Sequence, residues 1–203
     1  MKRLALLFTL LCVTISGGAC SDDNSEDTYK VGDYYDRDGI QGIVFKTENG
    51  GRNGLIVSLD ETTAAWALDN GFEVNASDSE DGTKNQAAVE AIPGWREKFP
   101  AFVWCADKNV NGVNGWFLPA GYCLSELFWA WAVDREAFNR RLIEHGGTGI
   151  MGGGYWSSTA IVQYTGGFVN FSALIAPDSE ERDHVLFFAE KTNRLKVRAV
   201  CRF

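Results

Sequence analysis

The side chains of this 203-residue sequence whose types suit chemistry are five cysteines, two histidines, a run of carboxylates and seven tryptophans. Zinc needs four soft ligands in a tetrahedron, which a sequence supplies as C-x-x-C pairs or interleaved Cys and His. Cys12, Cys20, Cys105, Cys123 and Cys201 are dispersed and follow neither pattern, so no metal site is expected through sulfur. His145 and His184 stand beside Gly-rich or charged segments. A lone histidine near a helix C-terminus is more often a dipole partner than a base. Ser157 and Ser158 lack the G-x-S-x-G frame that exposes a nucleophile on a strained turn. Asp178, Glu180, Glu181 and Asp183 offer oxygen ligands of the kind calcium takes, but such a run is ordinarily a solvated face. No catalytic residue, metal or cofactor is expected.

Aromatic side chains leave binding as the open possibility. Trp116 and Trp156 invite a sugar-stacking role, yet a Trp within Gly-flanked strands more often fills the centre of a small fold. Tyr164, Phe168, Asn170 and Phe171 follow Tyr155-Trp156 in a Gly-interrupted stretch. Loops carried on a rigid scaffold usually hold binding residues, so these four are the ligand-binding candidates. Strand alternation puts Phe168 and Asn170 on one face.

The elements that must position these residues follow from periodicity. Residues 29–31, 39–46 and 54–59 have the character of short strands, the last two joined as a hairpin across Asn49-Gly50-Gly51. Residues 76–82 are a polar loop. A helix is expected over 83–92, with Ala87, Ala88 and Ile92 on one face, stopped by Pro93-Gly94. A second is expected over 99–106 after Pro100. Residues 125–145 carry the strongest helical stripe, through Leu127, Phe128, Trp131, Phe138, Leu142 and Ile143, ended by Gly146-Gly147. Strands are expected again over 153–157, 167–171, 185–189 and 195–201. Helices in the middle with strands at both ends make the fold class α+β rather than alternating βαβ.

The N-terminus speaks of a compartment. Met1-Lys2-Arg3 is basic, residues 4–15 are almost continuously apolar, and Ser16-Gly17-Gly18-Ala19 precede Cys20. This is the layout of a secretory signal over 1–19, too short for a comfortable membrane span. Small residues ending at a cysteine resemble a bacterial lipobox, in which Cys20 is lipidated; Gly17 departs from its usual Leu. Cleavage after Ala19 by an ordinary signal peptidase is the alternative. Residues 20–28 are acidic and nearly free of apolar side chains, so they form a solvated tether. A Cys followed by Ser and acids also resembles the export signal of surface lipoproteins in Bacteroidota, although a plain linker has the same composition. The expected location is the outer membrane, lipid-anchored and exposed at the cell surface.

Composition bounds the rest. With 19 Lys and Arg against 27 Asp and Glu, the formal charge is −8, and loss of residues 1–19 removes two bases and no acid. Nucleic acid is excluded as a partner, since phosphate binding needs clustered cations. At 45% apolar and 23% charged, the chain is globular, and residues 29–203 are one domain.

Three phrases in order carry a family resemblance: Gly115-Trp116-Phe117-Leu118-Pro119 with Glu126-Leu127, Tyr155-Trp156-Ser157-Ser158-Thr159, and Val197-Arg198-Ala199-Val200-Cys201-Arg202. They resemble the Lcl C-terminal domain, or "major paralogous domain", family of bacteria. Phe117 stands where that family usually has Arg, and residues 121–124 lengthen the following turn. The resemblance implies a C-type-lectin-like fold whose first and last strands pair and whose long loop region carries ligand. It also implies a bridge between Cys105 and Cys201, with three reduced, buried thiols as the alternative. The phrases of calcium-dependent sugar-binding lectins are absent. The expected function is a non-enzymatic, adhesin-like module for a glycan, matrix or protein ligand. The alternatives are an accessory or tip subunit of a surface fibre and, further off, a formylglycine-generating-type enzyme with a reactive thiol at Cys123 or Cys201.

Overall fold

In a computed structural model the described residues are 28–110, 112–160, 164–170 and 186–203. The chain enters through β1 (Tyr34–Arg37), β2 (Ile40–Glu48), β3 (Asn53–Ser58) and β4 (Thr62–Ala65). Helices α1 (Gly82–Glu90) and α2 (Pro100–Ala106) follow, then the short β5 (Trp116–Phe117). Helices α3 (Gly121–Val133) and α4 (Arg135–Glu144) lead to β6 (Gly154–Trp156), β7 (Thr165–Asn170), β8 (Phe187–Glu190), β9 (Arg194–Val197) and β10 (Val200–Arg202). The strands form two sheets, ordered β1-β2-β3-β10-β5 and β4-β9-β6-β7-β8. The α+β class holds.

The β2–β3 hairpin forms as its sequence requires, pairing Ile43 with Val57 and Val44 with Ile56. Its turn needs positive φ at Gly50 and Gly51, and a Cβ on Gly51 would collide with the Tyr29 carbonyl. Both strands are apolar in continuous runs because both faces of this sheet are covered. Ile43, Phe45, Leu55 and Val57 point to a core closed by α3 and α4. Val44 and Ile56 point the other way, to a core with Trp66, Phe99, Phe102 and Trp156. Each large side chain removed from water here contributes about 1.5–3 kcal/mol.

Several elements differ from expectation. Residues 29–31 are not a strand; the first is β1, at the sheet edge beside β2. The pairing of first and last strands is not found, since β10 lies between β3 and β5. The ends of the domain still meet, with the Tyr29 and Phe203 rings 5.3 Å apart. The single helix over 125–145 is two, broken at Asp134, whose φ of −148° is extended and whose carboxylate accepts the Ala137 N–H at 2.9 Å. Leu127, Phe128, Trp131, Phe138 and Leu142 are buried as the stripe requires, but Ile143 is exposed. On α1 the buried face is Gly82, Asn85, Gln86 and Val89, with Ala87 exposed. Asn85 turns inward because its side chain is bonded to the 76–82 loop, giving to Asp78 O at 2.7 Å and accepting from Asp78 N at 3.0 Å. The strand expected over 195–201 is split at Arg198-Ala199, where the chain passes from one sheet to the other.

Candidate functional site

The motif residues gather where the two sheets exchange strands. Arg198 has a fully buried guanidinium that donates to Glu61 at 2.9 and 3.0 Å, to Ser58 O at 2.9 Å, to Leu59 O at 3.2 Å, and to Thr148 O. Tyr155 donates its hydroxyl to the same Glu61 carboxylate at 2.7 Å. Burial and that carboxylate push the Tyr155 phenol well above its ordinary range. Glu61 thus joins the β3–β4 corner, the β9–β10 corner and β6. A buried charge persists only when paired and hydrogen-bonded, and this one is.

The Trp-Ser-Ser-Thr phrase is equally occupied. Trp156 Nε1 donates to Ala64 O at 3.0 Å, and Ser157 Oγ donates to Gly167 O at 2.9 Å. Ser158 Oγ accepts from Asn85 at 3.0 Å. Thr159 Oγ1 accepts from Gly121 N at 3.0 Å and donates to Asp78 O at 2.8 Å. These hydroxyls tie loops together; none faces a free volume as a nucleophile. Trp116 and Trp156 are both buried and present no stacking platform.

The bridge implied between Cys105 and Cys201 is not made: Cys105, Cys123 and Cys201 are all free, buried thiols. Cys105 and Cys201 share one core. Cys201 lies against Gly115, where a missing side chain leaves it room, with Sγ 3.8 Å from Asn114 O. Burial raises all three thiols, Cys123 to about 12 and Cys201 to about 11. A reactive cysteine needs the opposite shift. Cys20, His184 and the carboxylates at 178, 180, 181 and 183 lie outside the described residues. His145 stacks on Tyr34, with ring centroids 3.6 Å apart.

Of the described ligand-binding candidates, Tyr164 is the exposed one, at 56%. Phe168 is half-buried, edge-on to Trp156 at 6.2 Å, and Asn170 shares its face in β7. Phe171 lies outside the described residues. Sequence reasoning passed over Phe187 and Phe188 of β8, both exposed, at 45% and 42%. Phe168 and Phe187 approach to 5.7 Å, so the structure gathers an aromatic edge from β7 and β8. Adjacent aromatic residues in a strand were the available signal, since neighbours point to opposite faces and one core cannot take both.

A groove was also missed. It holds about 520 Å³ and is lined by Val31, Phe45, Lys46, Glu126, Trp129 and Val133 among others. A second hollow of about 270 Å³ shares Val31, Ala130 and Val133 and extends the groove to Asp33, Asp134 and Arg141. Its signal lay in α3, which carries one charged residue, Glu126, and is apolar nearly all round. A helix of that kind has more apolar surface than one core contact covers. Val133 is 63% exposed. Among the described residues no helix is long and apolar enough to cross a membrane.

No protein-family model and no curated protein matches the sequence. Among solved structures, the chain is similar to a fimbrial protein from Bacteroides ovatus ATCC 8483, with a TM-score of 0.60 and 17% identity. The match covers 86% of this chain and 49% of that one, so the chain spans about half its length. At this identity the likeness is one of α+β fold.

Proposed function

We propose that the chain is a subunit of a surface fibre or complex, in an accessory or tip position, held at the outer membrane by lipid on Cys20. The observation that carries this reading is the fold likeness to a fimbrial protein over 86% of the chain. The signal-like residues 1–19, the cysteine at 20 and the acidic tether agree with it, since a fibre component must leave the cell and stay attached. Its partner is then protein, besides the membrane. Purification of the tagged chain from the cells that make it tests the reading: a partner protein in fixed stoichiometry is expected, and its repeated absence contradicts it.

A second reading is supported by the aromatic contact at the β7–β8 edge, where half-buried Phe168 meets exposed Phe187 at 5.7 Å. Here the domain is C-type-lectin-like in the finer sense and binds a glycan or protein as an adhesin, without enzymatic activity. An aromatic pair opening to solvent on an edge strand is suited to such contact. The formylglycine-generating alternative loses support, because burial raises Cys123 and Cys201 where that chemistry requires a thiolate.

A further inference from the structure

We propose that the groove beside α3 docks an apolar peptide segment of a partner protein, one that carries a basic residue at its end. This rests on the reading of the chain as a fibre component and names the chemistry of the contact. The groove floor is apolar, from Phe45 through Ala130 to Val133, and Val31 and Val133 stand exposed on its two sides at 50% and 63%. Apolar surface left open in a concavity of about 520 Å³, continued by a second hollow, has the shape of a ligand seat rather than scattered surface residues.

Trp129 lines the groove at 6% exposure, and its indole N–H, closed off from solvent, has no acceptor among the described residues, so the ring reports on the groove rather than donating to its occupant. The charges define the occupant. At one end the groove-lining Lys46 and Glu126 pair at 2.9 Å, and Glu48 adds a second carboxylate to Lys46 at 3.7 Å. At the other, Arg141 pairs with Glu144 at 3.7 Å, while Asp33 and Asp134 form no ion pair among the described residues. Asp33 accepts only a backbone N–H from Lys30 at 2.8 Å, and Asp134 caps α4. That end is therefore net acidic and complements a cation. A fatty acid would bring its carboxylate to the wrong charge. So would a second copy through its exposed Phe187-Phe188, which Glu190 follows.

The test uses the full chain carrying Cys20→Ser, labelled with 15N, and an acetylated, amidated probe peptide Val-Leu-Val-Leu-Lys-Arg. The Trp129 indole signal, identified by its loss in Trp129→Phe, is expected to move saturably with peptide. A Val-Leu-Val-Leu-Glu-Glu control should bind at least about ten-fold more weakly, from the loss of one charge-assisted contact. Val133→Arg, at an exposed position that leaves the core intact, should abolish the shift. The inference is overturned by an unmoved Trp129 signal, by equal binding of the acidic peptide, or by equal saturation with hexylamine, which would make the groove a small-amine site. A Trp129 signal that moves with protein concentration alone makes a second copy the occupant and also overturns it. If a fibre partner co-purifies and Val133→Arg leaves its stoichiometry unchanged, the groove inference fails while the fibre reading stands. If the peptide binds as expected and no partner ever co-purifies, the reverse holds.

Discussion

Arg198 and Glu61 show how a motif that looks functional is spent on structure. A guanidinium with no exposed side-chain surface is bonded to three carbonyls and one carboxylate, so every donor direction is used inside the fold. Removing one member of a buried pair leaves the other uncompensated, at a cost of about 3–5 kcal/mol. Arg198→Met is therefore expected to lower the unfolding free energy by that amount, measured by urea titration of tryptophan fluorescence. Asp78 gives a pH prediction. Backbone N–H donors from Asp81 and Glu80, with Lys84 beside it, hold its carboxyl down at about 2, below the ordinary 3.8. A depressed folded value means stability present above pH 3.8 and lost as pH falls toward 2. The wild-type urea midpoint should decline across that window, and Asp78→Asn should flatten the decline. Little of this was legible beforehand. The sequence marks Arg198 and Tyr155 as motif residues, but Glu61 stands in no motif, and its role exists only once three distant segments converge.

At the scale of elements, periodicity found what local chemistry decides. The β2–β3 hairpin and α2 lie where apolar pattern, Gly turn and Pro start place them. Gly51→Ala should destabilise by more than about 1 kcal/mol, because the turn needs φ of +93° there and the Tyr29 carbonyl blocks a Cβ. Calorimetric unfolding measures it. The elements read wrongly are those that tertiary contacts define. The stripe through 125–145 kept its phase across Asp134, so nothing in the apolar pattern announced the break that the Asp134 cap makes. The strand over 195–201 is locally continuous, and only the exchange of sheets at Arg198 divides it. On α1 the polar Asn85 and Gln86 face inward, contrary to hydrophobic phase, because Asn85 serves the 76–82 loop.

Among the described residues two surfaces stand open at the scale of the whole molecule: the aromatic edge of β7 and β8, and the groove beside α3. Of the foreseen Tyr164, Phe168, Asn170 and Phe171, Phe168 reaches the first surface, 5.7 Å from Phe187, and Phe171 lies outside the described residues. The groove escaped because its walls come from residues as far apart as Val31 and Val133. Attachment belongs to this scale as well. Under the proposed lipid anchor, Cys20→Ser should release the chain from the membrane fraction, measured by fractionation and blotting. Placement on a fibre is the central claim, and immunogold electron microscopy of intact cells tests it most directly. Gold on filaments, at their tips or bases, is the predicted result, whereas gold spread evenly over the envelope with none on any filament would contradict it.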